Sequence, residues 1–109
     1  MLYQSTRDRA IGITSAEAIA QGLSRDGGLY VPASIPALPA DALARLVKMP
    51  YVERAVFIMK MFLEDYTEEE LRSYCQAAYG APGFDDPAVA PVRPVYADTY
   101  ALELWHGPT

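Results

Sequence analysis

The sequence is poor in the residues that most often build catalytic and metal sites. Its single cysteine, Cys75, excludes an internal disulfide and a multi-cysteine metal site, and its single histidine, His106, excludes a histidine pair on a metal. Lysine occurs only as Lys48 and Lys60, which fall in predicted helices without the converging acidic or aromatic residues of a Schiff-base site. The phosphate loop G-x-x-x-x-G-K-S/T and the nucleophile motif G-x-S-x-G are also absent, so no complete catalytic set is visible.

Positive charge is scarce, and long apolar runs are missing. Nine lysines and arginines against fourteen acids give a net charge of −5, which argues against a nucleic-acid partner. No apolar run approaches the ~20 residues that cross a bilayer, and the N-terminus lacks the basic-then-apolar pattern of a secretory signal. We therefore expect a soluble, cytoplasmic protein without a membrane partner.

What the sequence does contain is a globular composition, with 51% hydrophobic and 21% charged residues in 109. Its hydrophobic periodicity predicts an α+β module of about four helices flanked by short strands. Capping boxes at Thr14 and Thr67 predict the starts of the first and last helices, and the middle helices are predicted at 41–48 and 51–64. The predicted strands cover 2–6, 10–13, 29–31, 92–96 and 100–105.

Each predicted helix carries an apolar stripe that we expect to be buried, and the third, most apolar helix is expected at the centre of the domain. The stripes of the first two helices comprise Ala16, Ile19, Ala20 and Leu23, then Leu43, Leu46 and Val47. Those of the last two comprise Val52, Ala55, Val56, Met59, Phe62 and Leu63, then Leu71, Tyr74, Cys75, Ala78 and Tyr79. We interpret Cys75 as a buried, inert thiol.

Two stretches are candidates for function. Asp26-Gly27-Gly28 is the strongest turn signal; a plain turn is the simpler interpretation, and presentation of backbone N–H groups to a ligand is the alternative. The stretch 105–109 puts an aromatic ring, a titratable ring, a glycine and a hydroxyl after a strand predicted to be buried. For that stretch a structural turn and a site stay equally open. Asp85 and Asp86 could form a carboxylate pair, but side chains of a solvated loop are the preferred interpretation.

Three segments, taken in order, resemble the N-terminal part of threonine synthase. They are residues 2–7 (Leu-Tyr-Gln-Ser-Thr-Arg), 26–32 (Asp-Gly-Gly-Leu-Tyr-Val-Pro) and 102–109 (Leu-Glu-Leu-Trp-His-Gly-Pro-Thr). The resemblance runs from end to end of the chain. The sequence departs from the family at Asp8, where glycine is common, and at Trp105, where phenylalanine is commoner.

The resemblance implies an enzyme of the tryptophan-synthase-β-like fold type that uses pyridoxal 5′-phosphate. Its members convert O-phospho-L-homoserine and water to L-threonine and phosphate. By resemblance, the wall of the cofactor and substrate cleft would include His106, Gly107, Pro108 and Thr109. The mouth of the cleft would include Asp26, Gly27 and Gly28.

The family's cofactor-holding lysine lies in a Phe-Lys-Asp segment that follows the His-Gly-Pro-Thr stretch. We therefore expect this chain to be the front part of a longer protein, with no catalytic residue of its own and no activity alone. Residues 1–91 are predicted to form the N-terminal domain, and 92–109 to begin the cofactor-binding domain. Two alternatives stay open: a stand-alone interaction module that uses an exposed strand edge, and a structural cap of an inactive synthase-like protein.

Overall fold

The computed structural model of the chain describes residues 1–80 and 82–108. Four helices and five short strands confirm the predicted α+β class. In chain order they are β1 (Tyr3–Ser5), β2 (Gly12–Ile13), α1 (Ser15–Gln21), β3 (Tyr30–Pro32), α2 (Ala42–Leu46), α3 (Tyr51–Phe62), α4 (Glu68–Tyr79), β4 (Val92–Tyr96) and β5 (Thr99–Leu102). No helix in the described ranges is long and apolar enough to cross a membrane.

The N-terminal strands form one antiparallel sheet in the order β2-β1-β3. Tyr3 of β1 lies opposite Ile13 on one side and Pro32 on the other, so β1 is the central strand. Because strand side chains alternate between faces, Tyr3 and Ser5 share one face, and Ser5 is almost completely buried. The sheet therefore buries a hydroxyl at the end of β1, and that hydroxyl needs a hydrogen-bond partner.

The core of the molecule lies between α3 and α4. It is centred on Val56 of α3 and on Leu71 and Cys75 of α4, which follow the i, i+4 spacing of one helix face. The partly buried side chains around it are Val52, Ala55, Met59, Leu63, Tyr66 and Tyr79. The predicted burial of Cys75 is confirmed, and burial raises the pKa of its thiol, which disfavours the reactive thiolate.

Both predicted capping boxes are present. The Thr67 hydroxyl accepts the Glu70 N–H at 3.2 Å, and the Thr67 N–H donates to the Glu70 carboxylate at 2.8 Å, which starts α4. Thr14 and Glu17 repeat this arrangement at α1. The Asp65 carboxylate also accepts from the Ser15 hydroxyl and from the Ala16 N–H, so it ties the start of α1 to the α3–α4 connection.

The buried stripes predicted for α1 and α2 are wrong. Ile19 is 61% exposed and Leu43 is 68% exposed, and Leu23 and Val47 are similarly uncovered. The residues that are buried on these helices are Ser15, Ala18 and Ala42. Helical periodicity identifies an apolar face, but it does not say whether another part of the described chain covers that face.

The last two strands form a separate antiparallel hairpin. Val92 lies opposite Leu102, and a bulge between Pro94 and Tyr96 precedes the turn. The strand 92–96 has the predicted boundaries, whereas the last strand ends at Leu102 rather than at Trp105. Both strands are largely exposed, so the expectation of a buried final strand is wrong within the described chain.

We predict that Leu71→Ala lowers the free energy of unfolding by about 2–5 kcal/mol, because it leaves a cavity where a side chain is now 2% exposed. Urea denaturation followed by circular dichroism measures this loss. The matched control is Leu43→Ala on α2, which is expected to change stability by no more than ~0.5 kcal/mol. Equal losses in the two variants would contradict the assignment of the core to α3 and α4.

Candidate functional site

The single histidine lies between two carboxylates near the end of the described chain. His106 Nδ1 is 2.5 Å from Asp85 Oδ1, and His106 Nε2 is 2.7 Å from Glu103 Oε2. The imidazole side chain is 13% exposed. Glu103 directly follows β5, and its N–H donates to the carbonyl of Pro91, which holds this carboxylate next to the hairpin. We call Asp85, Glu103 and His106 the histidine cluster.

The segment that follows α4 also contacts the main chain of His106 and Gly107. The Asp85 N–H donates to the His106 carbonyl at 3.1 Å. Gly107 packs directly on the Phe84 ring, and a Cβ at position 107 would lie 2.6 Å from Phe84 Cε1. Only glycine therefore permits this close approach of the backbone to the ring.

A chain of aromatic contacts links this turn to the helical core. The ring of Phe84 lies 5.7 Å from that of Tyr79 at the end of α4. Tyr79 in turn packs edge-on against Tyr51 at the start of α3, with 5.1 Å between ring centroids. The position of the 106–108 turn is therefore set by the ends of α3 and α4.

Charge complementarity stabilises the histidine cluster. The pKa of His106 is raised, first by the hydrogen bond to Glu103 and then by the hydrogen bond to Asp85, and these outweigh desolvation of the ring. Arg93 of β4 adds a second cation, at 3.2 Å from the Asp86 carboxylate and 3.9 Å from that of Glu103. Three acidic groups thus surround Arg93 and the His106 ring.

The prediction that Asp85 and Asp86 belong to a solvated loop is only partly right. They do not form a pair, because Asp85 binds His106 whereas Asp86 binds Arg93 and accepts the Ala88 N–H. Asp85 is 76% exposed and still engages the histidine. No local pattern in the sequence signals the contact of Asp85 with His106, because 21 residues separate them. Glu103 lies only three residues before His106, so its contact is local, but the strand pattern of this segment does not indicate it.

The second candidate stretch forms a closed loop, residues 24–28, which we call the Asp26 loop. Its Gly27 N–H donates to the Ser24 carbonyl at 2.8 Å, and its Gly28 N–H donates to the Asp26 carboxylate at 2.9 Å. Both N–H groups are satisfied inside the loop. The alternative in which they are presented to a ligand is therefore not supported, and the Asp26 loop is a turn.

The Asp26 loop is hydrogen-bonded to the end of β1 and to the residues that follow it. The Asp26 carboxylate accepts the buried Ser5 hydroxyl at 2.8 Å, and the Asp26 carbonyl accepts from the Arg7 guanidinium at 2.9 Å. The Gly28 N–H and then the Ser5 hydroxyl lower the pKa of Asp26, so its carboxylate stays ionised. No hydrogen bond or ion pair in the described part of the chain joins this loop to His106, Gly107 or Pro108. Thr109, the last predicted cleft residue, lies outside the described residues.

The described residues do not form an anchor for pyridoxal phosphate by themselves. Lys60 Nζ donates to the carbonyls of Glu64 and Tyr66 and so closes the end of α3. Lys48 is an exposed residue after α2, and the Gly27 and Gly28 N–H groups of the Asp26 loop are used inside the loop. Within the described ranges, no group of three or more metal-binding side chains occurs either.

We predict that Gly28→Ala destabilises the fold by about 1–3 kcal/mol, because its Cβ would overlap the Ser5 hydroxyl and lie 3.1 Å from Thr6 Oγ1. Thermal unfolding measures the effect. The matched control is Gly12→Ala in β2, where the nearest atom to a Cβ is Leu2 Cδ1 at an ordinary 3.5 Å. A Gly28 variant as stable as the Gly12 variant would show that the loop does not pack closely on β1.

A family model described as "Threonine synthase N terminus" matches residues 2–79. Threonine synthase from Pseudomonas aeruginosa is 36% identical over 110 residues, which cover 100% of this chain and 23% of that protein. Human threonine synthase-like 1 is 38% identical over 97 residues, which cover 86% of this chain and 13% of that protein.

Solved structures agree with the sequence comparisons. A crystal structure of pyridoxal-phosphate-bound threonine synthase from Brucella melitensis superimposes with a TM-score of 0.86 at 35% identity, covering 99% of this chain and 23% of that one. The threonine synthase structure from Escherichia coli gives a TM-score of 0.83 at 30% identity. The chain thus spans about a quarter of the length of these threonine synthases, and its match covers 13% of the human protein. From the family match and the shared fold, the chain belongs to the threonine synthase N-terminal family.

Proposed function

We propose that this chain is the N-terminal part of a working threonine synthase, an enzyme that converts O-phospho-L-homoserine and water to L-threonine and inorganic phosphate with pyridoxal phosphate. The observation that carries the proposal is that similarity to threonine synthases extends over the whole chain, beyond the family match at residues 2–79 and through the histidine cluster. The cytoplasmic location expected from the sequence belongs to the same proposal.

The part that the chain plays is to form one wall of the cleft. His106, Gly107 and Pro108 lie on a turn that Phe84 and Asp85 hold from behind. The Gly107 N–H donates to no acceptor among the described hydrogen bonds and is available to a substrate oxygen. Holding the cofactor falls to the polypeptide that follows this region in the longer relatives, since the described lysines are exposed or used inside the fold.

A second candidate is a synthase-like protein that lacks this activity. The observation in its favour is that human threonine synthase-like 1 is as similar to this chain as the synthases are, at 38% identity. The stand-alone interaction module has a weaker basis, which is the exposure of both strands of the C-terminal hairpin. Turnover of phosphohomoserine by the longer polypeptide separates the first candidate from the other two.

We predict that the full-length polypeptide containing this chain, purified with pyridoxal phosphate, releases equal amounts of phosphate and threonine from O-phospho-L-homoserine. A colorimetric phosphate assay and amino-acid analysis measure the two products. The matched control replaces the lysine of the expected Phe-Lys-Asp segment by alanine, which should abolish the activity and the visible absorbance of the bound cofactor. A cofactor-loaded wild-type polypeptide that releases no phosphate would favour the synthase-like alternative.

A further inference from the structure

We propose that Asp85 and Glu103 are positioning residues, which hold the His106 ring as an imidazolium and thereby fix the Gly107–Pro108 turn. The proposed charge of the ring and its effect on the turn are inferred from this structure alone. The effect on catalysis rests on the proposed function, because it requires that the turn borders the substrate cleft.

Both nitrogens of the His106 ring face a carboxylate. Nδ1 faces the Asp85 carboxylate, and Nε2 faces the Glu103 carboxylate, at hydrogen-bond distance in both cases. An ionised carboxylate only accepts hydrogen bonds, whereas a neutral imidazole has one donor and one acceptor. Both contacts are made only when both ring nitrogens carry a proton. A neutral ring would set one lone pair against a carboxylate.

The acidic groups around the His106 ring outnumber the cationic ones. The charged groups that face the cluster are Asp85 and Asp86 after α4, Arg93 of β4 and Glu103 after β5. With a neutral His106, three carboxylates share the single cation Arg93; with a protonated His106 they share two. The raised pKa of His106 agrees with this balance.

One short segment, residues 84 and 85, holds both the His106 ring and the main chain of the turn. The Asp85 carboxylate binds the His106 ring, the Asp85 N–H binds the His106 carbonyl, and Phe84 contacts Gly107. Without the contact between the Asp85 carboxylate and the His106 ring, residues 84 and 85 hold the turn through one backbone hydrogen bond and one packing contact. The position of the Gly107 N–H therefore depends on the protonation of His106.

This arrangement also limits what His106 does in a reaction. Both N–H groups are committed to carboxylates, so the ring has no lone pair to accept a proton and no free donor for a phosphate. His106 then acts through the shape of the turn rather than through proton transfer. Since its folded pKa is raised, the stabilisation is present in full below the ordinary value of 6.5 and is lost as pH rises through the raised value.

The chain offers a direct test because it has one histidine and one tryptophan, and their rings lie next to each other. The Trp105 and His106 centroids are 5.5 Å apart, so protonation of the imidazole changes the quenching of the indole. We predict that Trp105 fluorescence and the ¹⁵N NMR signals of the ring titrate together, at a pH above the ordinary imidazole value of 6.5.

Asp85→Asn and Glu103→Gln should each move this titration to lower pH. The charge-matched control is Asp98→Asn in the turn of the C-terminal hairpin, which has no described hydrogen bond to the cluster and should leave the titration in place. A wild-type ring that titrates at or below pH 6.5, or a titration that neither cluster variant moves, would overturn the proposal.

The catalytic consequence is tested in the longer, active polypeptide. Asp85→Asn and Glu103→Gln should each lower kcat on the order of tenfold, as expected for a displaced substrate-contacting turn, and shift the alkaline limb of the pH profile to lower pH. Asp85→Glu, which keeps the charge, should recover part of kcat. Unchanged kcat and pH profile in both cluster variants would refute the positioning role. A wild-type polypeptide without activity would refute the proposed function instead, and the ring titration would still decide the inference.

Discussion

Packing of α3 against α4 supports both ends of the chain. Their shared face buries Val56, Leu71 and Cys75, which is the only apolar cluster of fully buried residues in the part of the chain that the structure describes. At one end of this pair, Asp65 in the α3–α4 connection holds the start of α1. At the other end, Tyr79 packs against Phe84, and Phe84 contacts Gly107 in the 106–108 turn. The helical pair is thus the common support on which the sheet and the candidate site depend.

Outside this core, the fold relies on hydrogen bonds more than on apolar burial. The Asp26 loop joins β1 through Ser5 and Arg7, and the histidine cluster joins the C-terminal hairpin to the segment after α4. Large apolar side chains on α1, α2 and the hairpin stay exposed. Exposed apolar surface of this kind is typical of faces that contact other polypeptide. The chain covers about a quarter of the length of the threonine synthases that it matches.

Local interactions made much of the fold predictable. The Thr14 and Thr67 capping boxes lie where the sequence pattern indicates, because a cap needs only residues three positions apart. Strand 92–96 was predicted to its end residues, and the alternation and turn signals around it are equally local. The candidate site was less predictable. The sequence indicates its glycine and histidine and places Asp85 in a solvated loop, but it does not indicate that Asp85 and Glu103 hold the histidine.

By itself, the sequence determined the class of the fold, the helix starts, the buried cysteine and the family to which the chain belongs. Tertiary structure alone decided that Ile19 and Leu43 are exposed, that the Gly27 and Gly28 amides are used within their own loop, and that Asp85 binds His106. The physical reason is the separation along the chain over which each interaction acts. Capping and periodicity act within a few residues, whereas burial and ion pairing depend on which distant segments the folded chain brings into contact.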